Sequence, residues 1–332
     1  MQLLREFDKA QSEGDLNQVL DGREPVIFRG LVDQWPSVRA FQHSNKAGME
    51  YVGQFVADRP VTVFVGEKEI GGRFGYNADC SGLNFKRGRI VLNKVITKLL
   101  EQEFDSEAPA IYVGSTSVDH WFPGFSKENY VRGLDSSALM SAWMGSKTKI
   151  SAHFDFPNNL ACVVGGEREF ILTPPEQLPN LYIGPLDLTP AGQPISLVDL
   201  TDIDEERFPK AVEAVAHSFK GVLHPGDAIF IPSMWWHQVD AKQSINLMTN
   251  FWWSDAATES GPPMSALMHA ILSIRDLPPA QKQVWKLFFE HYIFDSAETE
   301  IDYIPGHSRG ILDPLNQSQM TKLKSLIVKD LT

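Results

Sequence analysis

Pro225-Gly226-Asp227-Ala228-Ile229-Phe230-Ile231-Pro232-Ser233-Met234-Trp235-Trp236-His237 is the stretch on which the reading of the fold turns. A Pro-Gly-Asp turn opens it, four residues of strand-like texture follow, and a histidine closes it beside two indoles. A histidine at the end of such a strand has two readings, a core imidazole satisfied by a backbone carbonyl or a metal ligand. The surrounding chain repeats the texture. Residues 110–114, 160–164, 168–172, 228–231 and 244–253 are short β-rich runs separated by turn residues such as Gly165-Gly166. Strands without intervening helices predict a sandwich or barrel of the jelly-roll type over residues 110–255.

Outward from this core the texture changes. Residues 1–109 form a mixed α/β segment: a strand over 24–30 ended by Gly30, a helix over 49–57, a strand over 60–66, and a helix over 91–102. The last of these puts Leu92, Val95, Ile96, Leu99 and Leu100 on one side. Beyond Pro262-Pro263, residues 264–275, 279–293 and 315–331 read as helices, with prolines at their starts. The expectation is a mainly β protein with flanking helices (α+β), a core unit over 1–260 and a helical extension over 261–332. In the extension Leu267, Ile271, Ile274, Trp285, Phe288 and Phe289 supply apolar surface either to cover an open sheet edge or to pair with a second copy.

Composition narrows the function classes. With 332 residues, 43% hydrophobic and 22% charged, twenty Phe and eight Trp, the chain has the makings of a packed core, not of a disordered segment or coiled coil. No stretch approaches the roughly 18 uncharged apolar residues of a membrane span, and residues 1–8 lack the layout of an export signal. We therefore expect a cytoplasmic protein that does not cross a membrane. Cys80 and Cys162 form no CxxC, which argues against a zinc ribbon or a disulfide framework. Thirty basic against 42 acidic residues give a net charge of −12, which makes nucleic acid an unfavoured partner.

In Ser151-Ala152-His153-Phe154-Asp155-Phe156, side chains alternating along a strand would put His153 and Asp155 on one face, able to grip one ion. That supplies two members of a 2-His-1-carboxylate triad, which leaves three positions open on iron(II). The spacing alone is weak, since nine His and 42 acidic residues give roughly one such pair by chance. His237, from another strand of a jelly roll, completes the set. His43, His120, His217, His224, His269, His291 and His307 have no comparable partner spacing and read as surface or structural residues.

Several ordered motifs carry a resemblance: His153-Phe154-Asp155, Asn159, Arg168-Glu169-Phe170-Ile171-Leu172-Thr173-Pro174-Pro175, the 225–237 stretch, and Asn250-Phe251-Trp252-Trp253. Together they resemble the cupin-like JmjC family of iron(II)- and 2-oxoglutarate-dependent oxygenases, most of all the branch containing the asparaginyl hydroxylase of hypoxia-inducible factor. Residues 24–32 with Trp35-Pro36 resemble the N-terminal segment of that branch. The resemblance implies a double-stranded β-helix with His153, Asp155 and His237 as ligands of Fe(II), and 2-oxoglutarate and O2 as co-substrates. The reaction it implies is C–H hydroxylation with release of succinate and CO2.

It also implies co-substrate contacts. Arg168 stands where the resembling hydroxylase has a lysine for the 5-carboxylate; it keeps the charge and adds a bidentate fork. Tyr112, Asn159 and Asn250 match positions used around the co-substrate, and Asn246 reads on the same face of its strand. Their plainer alternatives are a β-strand aromatic, a turn residue and a strand-end cap. Ile150 replaces a threonine that touches the co-substrate in the resembling hydroxylase. Trp235, Trp236, Trp252 and Trp253 are an apolar wall for the site or ordinary core. The inserts 186–193 and 199–209 have the character of specificity loops, but residues 189–194 lack the polar groups with which the resembling hydroxylase grips its peptide. A protein side chain and a small molecule both remain open as substrate. The resemblance further implies a homodimer through the C-terminal helices. Two other readings stand beside the oxygenase: a cupin isomerase or dioxygenase that does not use 2-oxoglutarate, and a non-enzymatic binding module.

Overall fold

The computed structural model describes residues 1–8, 16, 19–254, 261–296 and 300–331. Eight strands make the core: β1 (Leu139–Gly145), β2 (Lys149–His153), β3 (Asn158–Gly165), β4 (Arg168–Thr173), β5 (Phe219–Leu223), β6 (Ala228–Ile231), β7 (Trp236–Ala241) and β8 (Asn246–Trp253). They pair antiparallel in two sets of four, β5-β4-β7-β2 and β6-β3-β8-β1. This is the double-stranded β-helix, a jelly roll with helices around it. Each set is extended at its edges. Gln2–Leu3 and Arg73–Phe74 flank the first, and the strands Arg5–Phe7, Val26–Phe28, Pro60–Gly66, Lys86–Val91 and Ala110–Ser117 flank the second.

Alternation explains why β3 is apolar over Leu160–Val164. Ala161 and Val163 pack with Phe170, Leu172 and Val239 of the opposite sheet. Leu160, Cys162 and Val164 face the other way, onto a cluster that includes Val38 and Phe41 of α1 (Pro36–His43), Met49 and Val52 of α2 (Asn45–Gly53), and Leu92, Val95 and Leu99 of α3 (Leu92–Glu101). A strand buried on both faces has no polar side to show. Each fully buried large side chain, such as Trp35, Phe28 or Phe230, contributes about 1.5–3 kcal/mol relative to exposure.

The Pro225-Gly226-Asp227 turn is pinned at its centre. Gly226 has φ +104°, and a Cβ there would lie 2.0 Å from Asp33 Oδ1, so only glycine fits. Asp227 accepts the Gly30 N–H at 2.9 Å, the His224 N–H at 3.0 Å and Arg29 Nη1 at 2.6 Å. That one carboxylate fixes the start of β6 and the end of the Val26–Phe28 strand.

Some elements differ from expectation. α2 begins at Asn45, where the Ser44 hydroxyl accepts the Ala47 N–H at 3.0 Å, and stops at Gly53; the apolar pattern over 49–57 captured only its second half. α1, β5 and the strand Lys86–Val91 were not anticipated, because Lys220 and Gly221 interrupt one strand and Lys86, Arg87 and Arg89 make the other look like solvated loop. His237 is not the end of the preceding strand. β6 stops at Ile231 because Pro232 has no N–H to give a ladder, and His237 is the second residue of β7.

The chain divides into two compact units, Met1–Ser254 and Asp255–Thr332. The expected boundaries at 255 and 260 fall among residues 255–260, outside the described residues. The second unit carries α4 (Pro263–Ser273), α5 (Pro279–Phe289), which continues into a π-helical turn over Glu290–Phe294, and α6 (Gln317–Leu331). Leu267, Leu272, Trp285, Leu287 and Phe288 are exposed on α4 and α5. No described helix is long and apolar enough to cross a membrane.

Candidate metal centre and its cavities

β2 and β7 set His153 directly opposite His237, so the imidazoles meet with ring centroids 4.2 Å apart. Asp155 arrives by another route than a shared strand face. β2 ends at His153, and Asp155 stands in the loop beyond it, its carbonyl accepting the Met234 N–H at 2.9 Å. β7 begins only at Trp236, so little strand remains for residues 154 and 155 to pair with. The carboxylate still comes within 3.6 Å of His237 Nε2, and one ligand atom from each of the three residues lies within 4.8 Å of the others.

The imidazole tautomers follow from backbone contacts. Nδ1 of His153 lies 2.9 Å from Ser151 O, and Nδ1 of His237 lies 3.0 Å from Trp235 O. A carbonyl only accepts, so each Nδ1 carries the hydrogen and each Nε2 keeps a free lone pair. Burial, then the neighbouring His153, holds His237 well below its ordinary pKa and therefore neutral at pH 7. Two imidazoles oriented through Nδ1 and a carboxylate form a donor set that suits iron(II) among the divalent metals.

Arg168, the first residue of β4, is 3% exposed. Among the described residues its Nε has no hydrogen-bond partner, and its Nη2 donates a long bond, 3.5 Å, to Trp143 O. Burial lowers the guanidinium pKa to about 10, and among the described residues only the Tyr112 hydroxyl works to restore it. Tyr112 is buried, and that burial pushes its own hydroxyl up. Asn250 Oδ1 accepts the Trp143 Nε1–H at 2.7 Å, which leaves Nδ2 unpaired; Asn159 Oδ1 is also unpaired. Three orphaned polar side chains, Arg168, Asn159 and Asn250, thus line one narrow cavity with His153, Asp155, His237 and Tyr112. Buried polar atoms normally find partners, so this concentration marks a place where one is to be supplied. Asn246 does not line that cavity. It sits at the far end of the same face of β8, where Nδ2 donates to Ser146 O at 3.1 Å and Gln243 O at 2.6 Å.

The narrow cavity shares Tyr112, Trp143, Ile150, His153 and Asp155 with a chamber of about 340 Å³. Phe64, Phe74, Phe85 and Trp252 form much of its wall. Of the four tryptophans read as a wall, only Trp252 lines it. Trp235 packs in the core and donates to Arg23 O at 3.1 Å, Trp236 packs edge-on against Phe154, and Trp253 stacks on Phe230. Phe64, Phe74, Phe85 and Trp143 were not singled out in the sequence; they are ordinary strand or loop aromatics whose convergence depends on long-range pairing.

A family profile described as cupin-like domain matches residues 12–259. The chain belongs to that family. Its relatives include lysine-specific demethylase JMJ31 of Arabidopsis thaliana, 25% identical over 301 residues, covering 76% of this chain and 50% of that one. Jumonji C domain-containing protein 5 of Drosophila melanogaster is 23% identical over 253 residues, covering 75% and 59%. tRNA wybutosine-synthesizing protein 5 of Gallus gallus is 28% identical over 271 residues, covering 74% and 76%. The cupin-like chain spans about half the length of JMJ31 and of several other relatives.

Proposed function

We propose that this cupin-like protein is an iron(II)- and 2-oxoglutarate-dependent oxygenase that hydroxylates a C–H bond of a protein side chain or small molecule, releasing succinate and CO2. The observation that carries the reading is Arg168: a fully buried guanidinium, without a carboxylate partner among the described residues, lining the same cavity as His153, Asp155 and His237. A buried charge without a counter-ion is costly, and a dicarboxylate held between Arg168 and a metal would relieve that cost. A cupin that does not use 2-oxoglutarate has no need of such a residue.

In this reading His153, Asp155 and His237 hold iron(II), with both imidazoles oriented through their Nδ1–H bonds to backbone carbonyls. Iron with 2-oxoglutarate supplies oxygen activation coupled to decarboxylation. Arg168 grips the 5-carboxylate with Tyr112 beside it, and the free amide atoms of Asn159 and Asn250 orient the rest of the co-substrate. The chamber receives the group to be oxidised, and its aromatic wall excludes water. The 153–175 and 225–237 motifs support the narrower placement in the asparaginyl hydroxylase branch. Relatives named for lysine demethylation favour a protein side chain as substrate class. The −12 charge counts against an RNA substrate, although one relative is named for tRNA modification.

Anaerobic addition of iron(II) and then 2-oxoglutarate is expected to raise a weak visible metal-to-ligand charge-transfer band. A protein that gave no band, or a His153→Ala variant that kept it, would overturn the assignment. Screening peptides and metabolites for stimulated succinate formation then identifies the substrate. We also propose a cytoplasmic homodimer joined through α4, α5 and α6, whose apolar residues Leu272, Trp285, Leu287 and Phe288 stand exposed. Light scattering after size exclusion should give twice the chain mass of 37.2 kDa.

A further inference from the structure

We infer that the chamber beside the triad takes an electrically neutral, largely apolar group with one hydroxyl- or amide-like end, and that Gln193 and Trp252 select that end. Calling this group the one that is oxidised rests on the oxygenase reading; the chemistry of the chamber does not.

Charge comes first. Among the described residues, the one carboxylate or fixed cation in the lining is Asp155, which belongs to the triad; Phe64, Phe74, Phe85, Ile150 and Ile195 make most of the remainder apolar. An ammonium or a carboxylate entering here would lose its hydration and meet no counter-ion of its own. An aromatic cage for a methylated ammonium would need free ring faces. The rings are instead occupied with one another: Phe64 and Phe85 are 4.7 Å apart, Phe74 meets Phe85 edge-on at 5.3 Å, and Trp143 meets Trp252 edge-on at 5.8 Å. The Arg87 guanidinium already lies over Phe64 at 5.3 Å and over Phe85 at 5.8 Å, so a cation holds that side.

Polarity comes second. Gln193 Oε1 and Trp252 Nε1 are buried, have no hydrogen-bond partner among the described residues, and belong to residues lining this chamber. They offer one acceptor and one donor in a largely apolar enclosure, beside the polar groups of Tyr112, Ser115 and Ser151 and the triad members His153 and Asp155, a pattern that fixes a ligand's orientation and rejects analogues lacking the matching group. The loop bearing Gln193 is fastened. Arg87 Nη2 donates to Thr189 O at 3.3 Å and to Pro190 O, and the Thr189 hydroxyl accepts the Gly192 N–H at 3.0 Å. Gln193 is therefore presented by an anchored segment of the insert.

The test compares rings of one size on the purified full chain, with and without iron(II) and 2-oxoglutarate: cyclohexanol, cyclohexylammonium and cyclohexanecarboxylate, with benzene as a ring without a polar end. Tryptophan fluorescence and ligand-observed NMR report binding. Cyclohexanol is expected to bind at least about tenfold tighter than either charged analogue. Gln193→Leu and Trp252→Phe are each expected to weaken it about three- to tenfold, the range of one neutral hydrogen bond, while benzene binds as before. Equal or tighter binding of the ammonium, or cyclohexanol binding unchanged in folded Gln193→Leu protein, overturns the assignment. Should Trp252→Phe fail to fold, the loop variant alone decides. Selectivity in a protein that never decarboxylates 2-oxoglutarate removes the oxygenase reading and keeps the chamber. Turnover without selectivity does the reverse.

Discussion

Replacing Arg168 by methionine should make the ligand-free protein more stable and nearly blind to 2-oxoglutarate. The side chain is 3% exposed, and burial takes its pKa to about 10 from the ordinary guanidinium value above 12. At ~1.4 kcal/mol per tenfold, holding the charge there costs about 3 kcal/mol. Its hydrogen bonds return little, since Nε is unpaired and the Trp143 O contact is 3.5 Å long. Methionine keeps most of the volume, and imperfect repacking takes back about 1 kcal/mol, so the net gain is about 2 kcal/mol. With a urea m-value of about 3 kcal/mol/M the unfolding midpoint rises by roughly 0.7 M. Co-substrate binding moves the other way. Losing charge-assisted hydrogen bonds worth about 1.5–3 kcal/mol weakens 2-oxoglutarate roughly ten- to 150-fold. The assay is urea unfolding with a redox-inert divalent ion present, with and without 2-oxoglutarate. At about 100 times its Kd for the parent the ligand adds about 2.7 kcal/mol to the parent protein but only about 0.3–1.4 kcal/mol to the variant, so the variant's lead of about 2 kcal/mol should shrink to under about 1 kcal/mol on adding it. An Arg168→Met protein that is less stable without ligand, yet gains as much from 2-oxoglutarate as the parent, would show that Arg168 serves packing and not the co-substrate.

Three further outcomes follow from the same geometry. Asp155→Ala removes the triad's only carboxylate and should lower iron(II) affinity at least about a hundredfold by calorimetry while leaving the circular dichroism intact; ordinary affinity would mean that the loop carboxylate is no ligand. Gly166→Ala puts a Cβ 2.3 Å from Asn246 Oδ1 and 2.6 Å from Ile245 O at φ +77°, and should cost about 2–3 kcal/mol in urea unfolding; a loss under about 0.5 kcal/mol refutes the close approach. Burial works to raise the Asp199 pKa, but Lys149 at 2.6 Å and the Thr201 hydroxyl and N–H hold it below its ordinary value. A carboxylate with a lowered folded pKa stabilises above its unfolded value near ~4 and loses that contribution as pH falls through the folded one. Asp199→Asn should therefore cost about 1 kcal/mol from pH 8 to 5, with the gap from the parent closing below about pH 4; a gap independent of pH would count against the ion pair.

The parts of this molecule legible in the sequence are those in which a local pattern and its structural cause coincide. β3 and β4 were visible because burial on both faces demands apolar runs, Leu160–Val164 and Phe170–Leu172, β8 because Leu247-Met248 and Phe251-Trp252-Trp253 bracket its few polar residues, and Gly226 because a pinned turn demands glycine. Period-two alternation put His153 and Asp155 together for a reason that does not hold, since the strand ends between them; the pair still meets because the Met234 N–H ties the loop at Asp155 O. Arg168 could be found by resemblance, but its lack of a partner could not, since that depends on what every neighbouring strand fails to bring. The chamber was least legible. Phe64 reaches it because Pro60–Gly66 pairs with Ala110–Ser117, Phe64 opposite Tyr112, and Phe74 because a two-residue strand runs parallel to Lys149–Ile150. Neither pairing leaves a mark in the flanking residues, and a two-residue strand has no periodicity to read. The division is physical: His153, His237, Arg168, Asn159 and Asn250 sit on core strands whose patterning is dictated by burial, whereas Phe64 and Phe74 come to the chamber from flanking strands and Gln193 from a fastened loop. Substitutions at Phe64, Phe85 or Gln193 should accordingly change which molecule is accepted while leaving the jelly roll folded.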